Sequence, residues 1–330
     1  MGKLRLSIAI GDYDRNRPLM DGRVQIDGVD PVFMALTPEE MFFRAFRHQD
    51  FDISEVSFAS QVLSIAQDRS HYQALPIFLS RAFRHSAIYI RTDKGIDSPE
   101  KLKGRKIGIA EYQLSANVWA RALLEDEYGV KPSDIHWIRG GMNSAGRPEK
   151  LAFTLPDDVT ITPAPEGKSL NDLLISGEID GFIGPRSPKC YDDHHPDIDR
   201  LFGNTVKAAS AYWKKTGIFP IMHLLGVRRS LLAEHPFLAG ALMKAFSASK
   251  AMAEEMLKDT SATKVTMPFV EDHLRKARLL MGENFWSYGI NGNEKTIETF
   301  LDHHHRQGLS VRRVTIEELF PKNALESYSL

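Results

Sequence analysis

The run Ser80-Arg81-Ala82-Phe83-Arg84-His85-Ser86 leads directly into Ala87-Ile88-Tyr89-Ile90. Two guanidinium groups and an imidazole thus stand at the mouth of an apolar stretch that reads as a buried strand. Cations in such a place are costly unless an anion meets them, because desolvated charge without a partner is heavily penalised. Taken alone, the run fits either a solvated loop with ordinary surface arginines or the wall of an anion-binding cleft. The rest of the chain favours the cleft.

A chain of 330 residues exceeds the usual size of a single core, so two lobes are expected. With 42% hydrophobic and 26% charged residues, the composition is that of an ordinary globular protein. The formal net charge is −1 and the Lys and Arg residues are dispersed, which argues against a nucleic-acid surface. No segment approaches the roughly 18 consecutive apolar residues of a membrane helix. Met1-Gly2-Lys3-Leu4-Arg5-Leu6-Ser7-Ile8 alternates like a first strand and carries no signal-type apolar region. The single cysteine, Cys190, excludes an intrachain disulfide and a cysteine-based zinc site. A cytoplasmic protein is the expectation.

Strand-like runs alternate with amphipathic helices over the first two-thirds of the chain, the pattern of an α/β fold with largely parallel sheets. Strands are expected at Leu4–Ile10, Asp52–Val56, Ala74–Phe78, Ser86–Ile90, Arg105–Ile109, Ile135–Ile138, Val159–Thr162 and Ile179–Ile183. Helices are expected at Pro38–His48, Phe58–Ala66, Leu114–Tyr128 and Leu170–Ser176, the last closed by Gly177. Ile218–Val227 reads as an apolar strand returning between lobes, and three helices follow, at His235–Leu257, Pro268–Met281 and Asn293–Gln307. The layout this suggests is discontinuous: residues 1–88 with 222–330 in one lobe, 89–221 in the other. The C-terminal helices are expected to pack on the first lobe, and the cleft to open and close about the two crossings.

Several runs resemble the 4,5-dihydroxyphthalate decarboxylase family nearly end to end: Gly11-Asp12-Tyr13-Asp14-Arg15, Glu55-Val56-Ser57, Ser80–Ser86, Glu111-Tyr112-Gln113, Gly146-Arg147, Pro185-Arg186 and Thr216-Gly217-Ile218-Phe219-Pro220-Ile221-Met222-His223. The second and third of the longer runs, Ser80–Ser86 and Gly217–His223, are the most specific. The segments Met142–Ala145 and Ser187–His195 depart from the family pattern. The resemblance implies a two-lobed fold of the type II periplasmic-binding-protein kind with a ligand cleft between lobes. It also implies a carboxy-lyase acting on an aromatic dicarboxylate. A non-catalytic binding protein for an aromatic carboxylate, or an enzyme for another aromatic acid, would use the same fold.

Loss of carbon dioxide from an aromatic ring leaves an unstable aryl carbanion unless a para hydroxyl pushes electron density onto the carboxylate-bearing carbon. That carbon can then be protonated before carbon dioxide departs, without an electron-sink cofactor. Such a site needs cations for the retained carboxylate, a proton donor and acceptors for the phenols. Arg81 and Arg84 are candidate carboxylate clamps, with pairing to Asp or Glu of the other lobe as the alternative. Arg186 follows a strand end where open α/β sheets bind ligands, and Arg147 lies in a loop. His85 and His223 sit at the two crossings and suit general acid or base work; either could instead be a satisfied structural group. Glu111, Tyr112 and Gln113 precede a helix start that favours anions, though Glu111 could equally cap that helix. Asp12, Tyr13, Glu55 and Ser57 end strands at the cleft edge, and Asp12 or Glu55 could accept a catechol proton or pair with Arg81 or Arg84.

Other features weigh less. His303-His304-His305 cannot converge on one ion from adjacent helix positions and reads as a solvated helix end. Asp192, Asp193, His194 and His195 lack an established ligand spacing, so no metal is expected. Gly140-Gly141 lacks the Lys-Ser/Thr of a phosphate loop. Association into a homo-oligomer through the C-terminal helices is compatible with their periodicity.

Overall fold

The computed structural model describes residues 2–146 and 151–321. In chain order the strands are β1 (Leu4–Ile10), β2 (Val29–Ala35), β3 (Ile53–Ser57), β4 (Tyr72–Arg81), β5 (Ile88–Arg91), β6 (Lys106–Ile109), β7 (His136–Arg139), β8 (Ile161–Pro163), β9 (Gly181–Ile183), β10 (Ile198–Arg200) and β11 (Ile221–Arg228). They form two sheets, ordered β2-β1-β3-β11-β4 and β10-β5-β9-β6-β7-β8. In the first, β1 is parallel to β2 and β3, and β11 inserts antiparallel between β3 and β4. In the second, β6 is parallel to β7 and β9, whereas β5 is antiparallel to β9 and β10. The result is a two-lobed α/β fold in which β11 returns to the first sheet after the second is complete.

Local signals explain most boundaries. β3 is buried at every position, as expected of a strand covered on both faces. Ser57 caps the Phe58–Ala66 helix, its hydroxyl accepting from Ser60 N–H. Ser169 and Asp172 form a capping box on Leu170–Ser176, and Gly177 ends that helix at φ +75°. Among the elements outside the sequence expectations are β2 and the helix Thr205–Thr216. β2 contains Pro31, tolerated because β2 is an edge strand that pairs only with β1. The helix Thr205–Thr216 is bounded by the Asn204 side chain, which accepts from Lys207 N–H, and by Gly217. The expected helix Pro38–His48 is α-helical only over Pro38–Phe43 and then widens into a π turn at Arg44–His48.

At the first crossing the expected strand Ser86–Ile90 starts late. Arg84–Ala87 form a 3₁₀ turn and β5 begins at Ile88, because the chain must swing from one sheet to the other here. The second crossing runs alongside it. Ala82 N–H donates to Pro220 O (3.2 Å) and the Phe83 and Phe219 rings stack at 4.8 Å.

The C-terminal helices do not pack on the first lobe alone. The Glu294–Arg306 helix lies against both Phe58–Ala66 and the Ser115–Tyr128 helix that follows β6. Phe300 stacks on Phe58 at 4.0 Å and approaches Trp119 at 5.4 Å. The apolar core therefore runs unbroken from β3 and β11 to β5 and β6, and any opening of the cleft must pivot on this packed side.

The three histidines at the end of that helix are not a solvated end. His303 Nε2 meets Asp126 at 2.7 Å, His304 is wholly buried with Nε2 donating to Ala59 O at 3.0 Å, and His305 Nδ1 meets Ser310 O at 2.9 Å. They pin the helix to three different elements. Burial pushes His304 down to about 3 and His85 down to about 4, so both are neutral in the fold. In the unfolded chain an imidazole protonates near 6.5. Below that pH the unfolded state takes up protons that the native state refuses, so stability present above 6.5 is lost as pH falls toward 4. The expected loss at pH 5 is about 1–2 kcal/mol for each histidine. Urea denaturation across pH 5–7 checks this, and His304→Asn should flatten the dependence. Among the described residues no helix is long and apolar enough to cross a membrane.

Candidate active site

The parallel strands β1, β3, β6 and β9 all end at one edge, where open α/β sheets bind ligands. A cavity of about 280 Å³ lies there between the sheets. That volume is at the small end for ligand sites and suits a single-ring molecule. Tyr13, Ser57, Ser80 and His223 line it from the first sheet, Ala110, Phe182, Pro185 and Arg186 from the second. Phe42 and Glu39 of the Pro38–Phe43 helix, Ser115, Met142, Met222 and Arg84 complete much of the wall.

Strand register builds the polar centre. His223 stands directly opposite Ser57 on β3 and Ser80 on β4, and Glu55 lies two residues before Ser57 on the same face. This diagonal neighbour is within side-chain reach, and His223 Nδ1 meets Glu55 Oε1 at 2.5 Å. The β4–β11 ladder shifts register around His223, an irregularity of the kind that re-aims a side chain. The other side of Glu55 is also satisfied. Gly11 N–H donates to Oε2 (2.9 Å) and the Tyr13 hydroxyl donates to Oε1 (2.9 Å). A Cβ at position 11 would sit 2.3 Å from the Tyr13 ring, so any larger residue there would push that ring away from Glu55.

Burial alone would push the Glu55 carboxyl up. The His223 hydrogen bond and charge, with the Gly11 and Tyr13 donors, outweigh that and hold it below the usual carboxylate range. Glu55 is thus ionised and purely an acceptor, so the shared proton sits on His223 Nδ1 and leaves Nε2 without a partner among the described residues. Burial, reinforced by the charge of Glu55, pushes the Tyr13 hydroxyl up and keeps it protonated. The Phe42 ring meets the His223 imidazole edge-on at 4.8 Å and fixes its plane.

The two arginines of the opening run separate sharply. Arg84 lies on the 3₁₀ turn, lines the cavity and is only 9% exposed. Burial lowers its guanidinium to about 10, so it stays charged at neutral pH. Among the described residues it has no ion-pair partner, and its Nε is unsatisfied. Arg81 ends β4 and points elsewhere. It donates to Phe219 O (3.0 Å), Ser287 O (2.8 Å) and Asn293 Oδ1 (2.6 Å), tying both crossings to the C-terminal segment. It does not line the cavity, so the carboxylate-clamp expectation gives way to a structural cation that burial lowers to about 9. Arg81→Met should leave several buried acceptors unsatisfied and destabilise the fold by about 2–4 kcal/mol, measurable by urea denaturation.

Other expected residues fall outside the cavity wall. His85 packs edge-on against Phe202 and Tyr212 at 5.1 and 5.5 Å, a neutral member of an aromatic cluster and not a cavity group. Asp12 is exposed and pairs with Arg17 at 2.7 Å. Glu111 is buried with its carbonyl accepting from Asn117 (2.7 Å), and Gln113 donates to Leu151 O (3.1 Å). Tyr112 is wholly buried under Arg121, which lies 3.7 Å above its ring. Burial pushes its hydroxyl up. Arg147 lies outside the described residues. Ser57 lines the cavity with its hydroxyl 3.0 Å from that of Ser115. Arg186 lines the mouth and reaches across to Glu39 at 2.8 Å. Nothing in the local sequence marks Ser80, Ser115 or Glu39 as cavity residues, although all three line it. Ser80 adjoins Arg81, Glu39 belongs to a helix-start signal and Ser115 begins a helix, so each reads locally as ordinary.

The fold matches the periplasmic aliphatic sulphonate binding protein SsuA of Escherichia coli with a TM-score of 0.54 at 12% identity, over 97% of this chain and 92% of that one. Protein AF1704 of Archaeoglobus fulgidus matches with 0.54 at 13% identity, over 92% and 98%. These likenesses establish a periplasmic-binding-protein-like fold. Residues 28–146 match the family described as ABC transporter, phosphonate, periplasmic substrate-binding protein. The chain is 53% identical over 214 residues to the 4,5-dihydroxyphthalate decarboxylase of Pseudomonas putida, covering 65% of this chain and 83% of that protein. It is 56% identical over 330 residues to the 4,5-dihydroxyphthalate decarboxylase of Comamonas testosteroni, covering 100% of each. With both chains matched along their whole length, the protein belongs to the 4,5-dihydroxyphthalate decarboxylase family of carboxy-lyases.

Proposed function

We propose that this enzyme converts 4,5-dihydroxyphthalate to protocatechuate and carbon dioxide in the cavity between its sheets. The observation that carries the reading is Arg84, a buried cation without an anionic partner among the described residues, in the same wall as the Glu55–His223 pair. An unpaired guanidinium at that depth is costly until a carboxylate meets it. The resemblance of the substrates named for the relatives to such a ligand supports the same assignment.

In this reading Arg84 holds the carboxylate that is retained, and the ring presents the carbon bearing the other carboxylate to His223. His223 Nε2–H protonates that carbon as the para hydroxyl pushes electron density into the ring. A C–H bond forms, the ring–carboxylate bond breaks, and its electron pair restores aromaticity as carbon dioxide leaves. Glu55 fixes the imidazole plane and stabilises its charged form, and the imidazole regains its proton from solvent. The walls formed by Phe42, Phe182, Met142 and Met222 exclude water and strengthen these charges.

The test is incubation of the purified protein with 4,5-dihydroxyphthalate, following carbon dioxide release and the ultraviolet spectrum of the product. Turnover that survives exhaustive chelation is expected, because the hydroxylated ring supplies its own electron push. Tight binding without product would favour a binding protein, and absence of binding would point to a different aromatic acid.

A further inference from the structure

The electron push required by the proposed reaction needs an acceptor for the ring hydroxyl, and the structure narrows the choice. Both acceptors suggested by sequence are committed elsewhere: Asp12 pairs with Arg17 outside the cavity, and Glu55 already receives Gly11, Tyr13 and His223. Among the described residues that line the cavity, Glu39 is the remaining carboxylate. We infer that Glu39 accepts the proton of the hydroxyl para to the departing carboxylate, making it a second catalytic residue for the decarboxylation proposed above.

Its position fits that role. Glu39 and Phe42 are three apart in the Pro38–Phe43 helix and share a face. Phe42 is the ring that touches His223. Three residues of helix rise about 4.5 Å, so Glu39 and the ring that meets His223 lie less than one turn apart along the same cavity wall. Its ligand-free partner is Arg186, at 2.8 Å from across the cleft, with side chains 38% and 58% exposed. An ion pair so exposed contributes little, so an entering hydroxyl can share Glu39 at small cost.

The step balances. As His223 delivers a proton to the ring carbon, the hydroxyl proton moves to Glu39 and the oxygen lone pair enters the ring. The ring–carboxylate bond then breaks, its electrons restore the aromatic system, carbon dioxide leaves, and Glu39 returns the proton to the phenolic oxygen. One proton from solvent is consumed overall, through His223.

The inference rests on the decarboxylase reading, and two measurements on the full-length protein keep the two separable. In calorimetry, wild type should bind protocatechuate more tightly than benzoate, and Glu39→Ala should lose that preference by about tenfold or more while benzoate affinity stays unchanged. In steady-state assays, Glu39→Gln should lower kcat for 4,5-dihydroxyphthalate about 10²–10⁴-fold with phthalate binding intact. A wild type that binds both acids without turnover sinks the decarboxylase reading, and the protocatechuate–benzoate preference still decides Glu39. The role of Glu39 is overturned if Glu39→Ala keeps the preference, if Glu39→Gln turns over like wild type, or if phthalate and benzoate binding fall along with everything else.

Discussion

Replacing His223 with Asn should lower kcat for 4,5-dihydroxyphthalate about 10²–10⁴-fold, the usual scale for a lost general acid, while phthalate still binds. Asn can keep a hydrogen bond to Glu55 but has no acidic proton to give to the ring carbon. Glu55→Gln should cost a similar factor, because Gln cannot hold the charge that Gly11, Tyr13 and His223 all face. The double variant should be little worse than either single one, as expected of residues acting as a unit. Single-turnover assays with calorimetry on the same samples separate lost chemistry from lost binding. A His85→Asn variant serves as contrast, since His85 lies in an aromatic cluster away from the cavity. Normal turnover in His223→Asn would move the proton source to another cavity group, with Tyr13 and Ser115 next in line.

The second large effect is at Arg84, and its sign depends on what is measured. Arg84→Lys keeps a charge but loses the planar fork, and should weaken phthalate binding by about 1–3 kcal/mol. Arg84→Met should abolish most binding yet stabilise the ligand-free protein, because it removes an unpaired buried cation. Arg81→Met should do the reverse, destabilising the fold through the carbonyls and the Asn293 amide that it leaves unsatisfied. Thermal melts with and without phthalate distinguish the two arginines in one experiment. If Arg84→Met melts lower than wild type without ligand, the guanidinium is structural and the anion-site assignment fails.

The contrast between these arginines marks where sequence reading ran out. Local signals carry the fold well: the Phe58–Ala66 and Leu170–Ser176 helices follow from their serine caps and apolar periodicity to the residue. The alternation of elements also conveys the two-sheet class. Arg81 and Arg84, however, are three residues apart across a change from strand to 3₁₀ turn. Neither a period of two nor one of 3.6 applies there, so their directions are set by the crossing geometry alone. Glu55 and His223 are 168 apart in sequence and meet only because β11 inserts antiparallel beside β3 in a register that local patterning does not encode. The histidines at 303–305 carry a polar, solvent-like local pattern, and their burial comes from packing against Ala59, Asp126 and Ser310.

The most direct test of the account is the structure of the enzyme with phthalate, an unreactive diacid, in the cavity. The expected result is one carboxylate on the Arg84 guanidinium at about 2.7–2.9 Å, the spacing of charge-assisted hydrogen bonds. The ring carbon bearing the second carboxylate should face His223 Nε2, with the ring position para to that carbon turned toward Glu39. A ligand seated on Arg81, or one in the cavity with neither carboxylate on Arg84 and His223 remote from the ring, would contradict it.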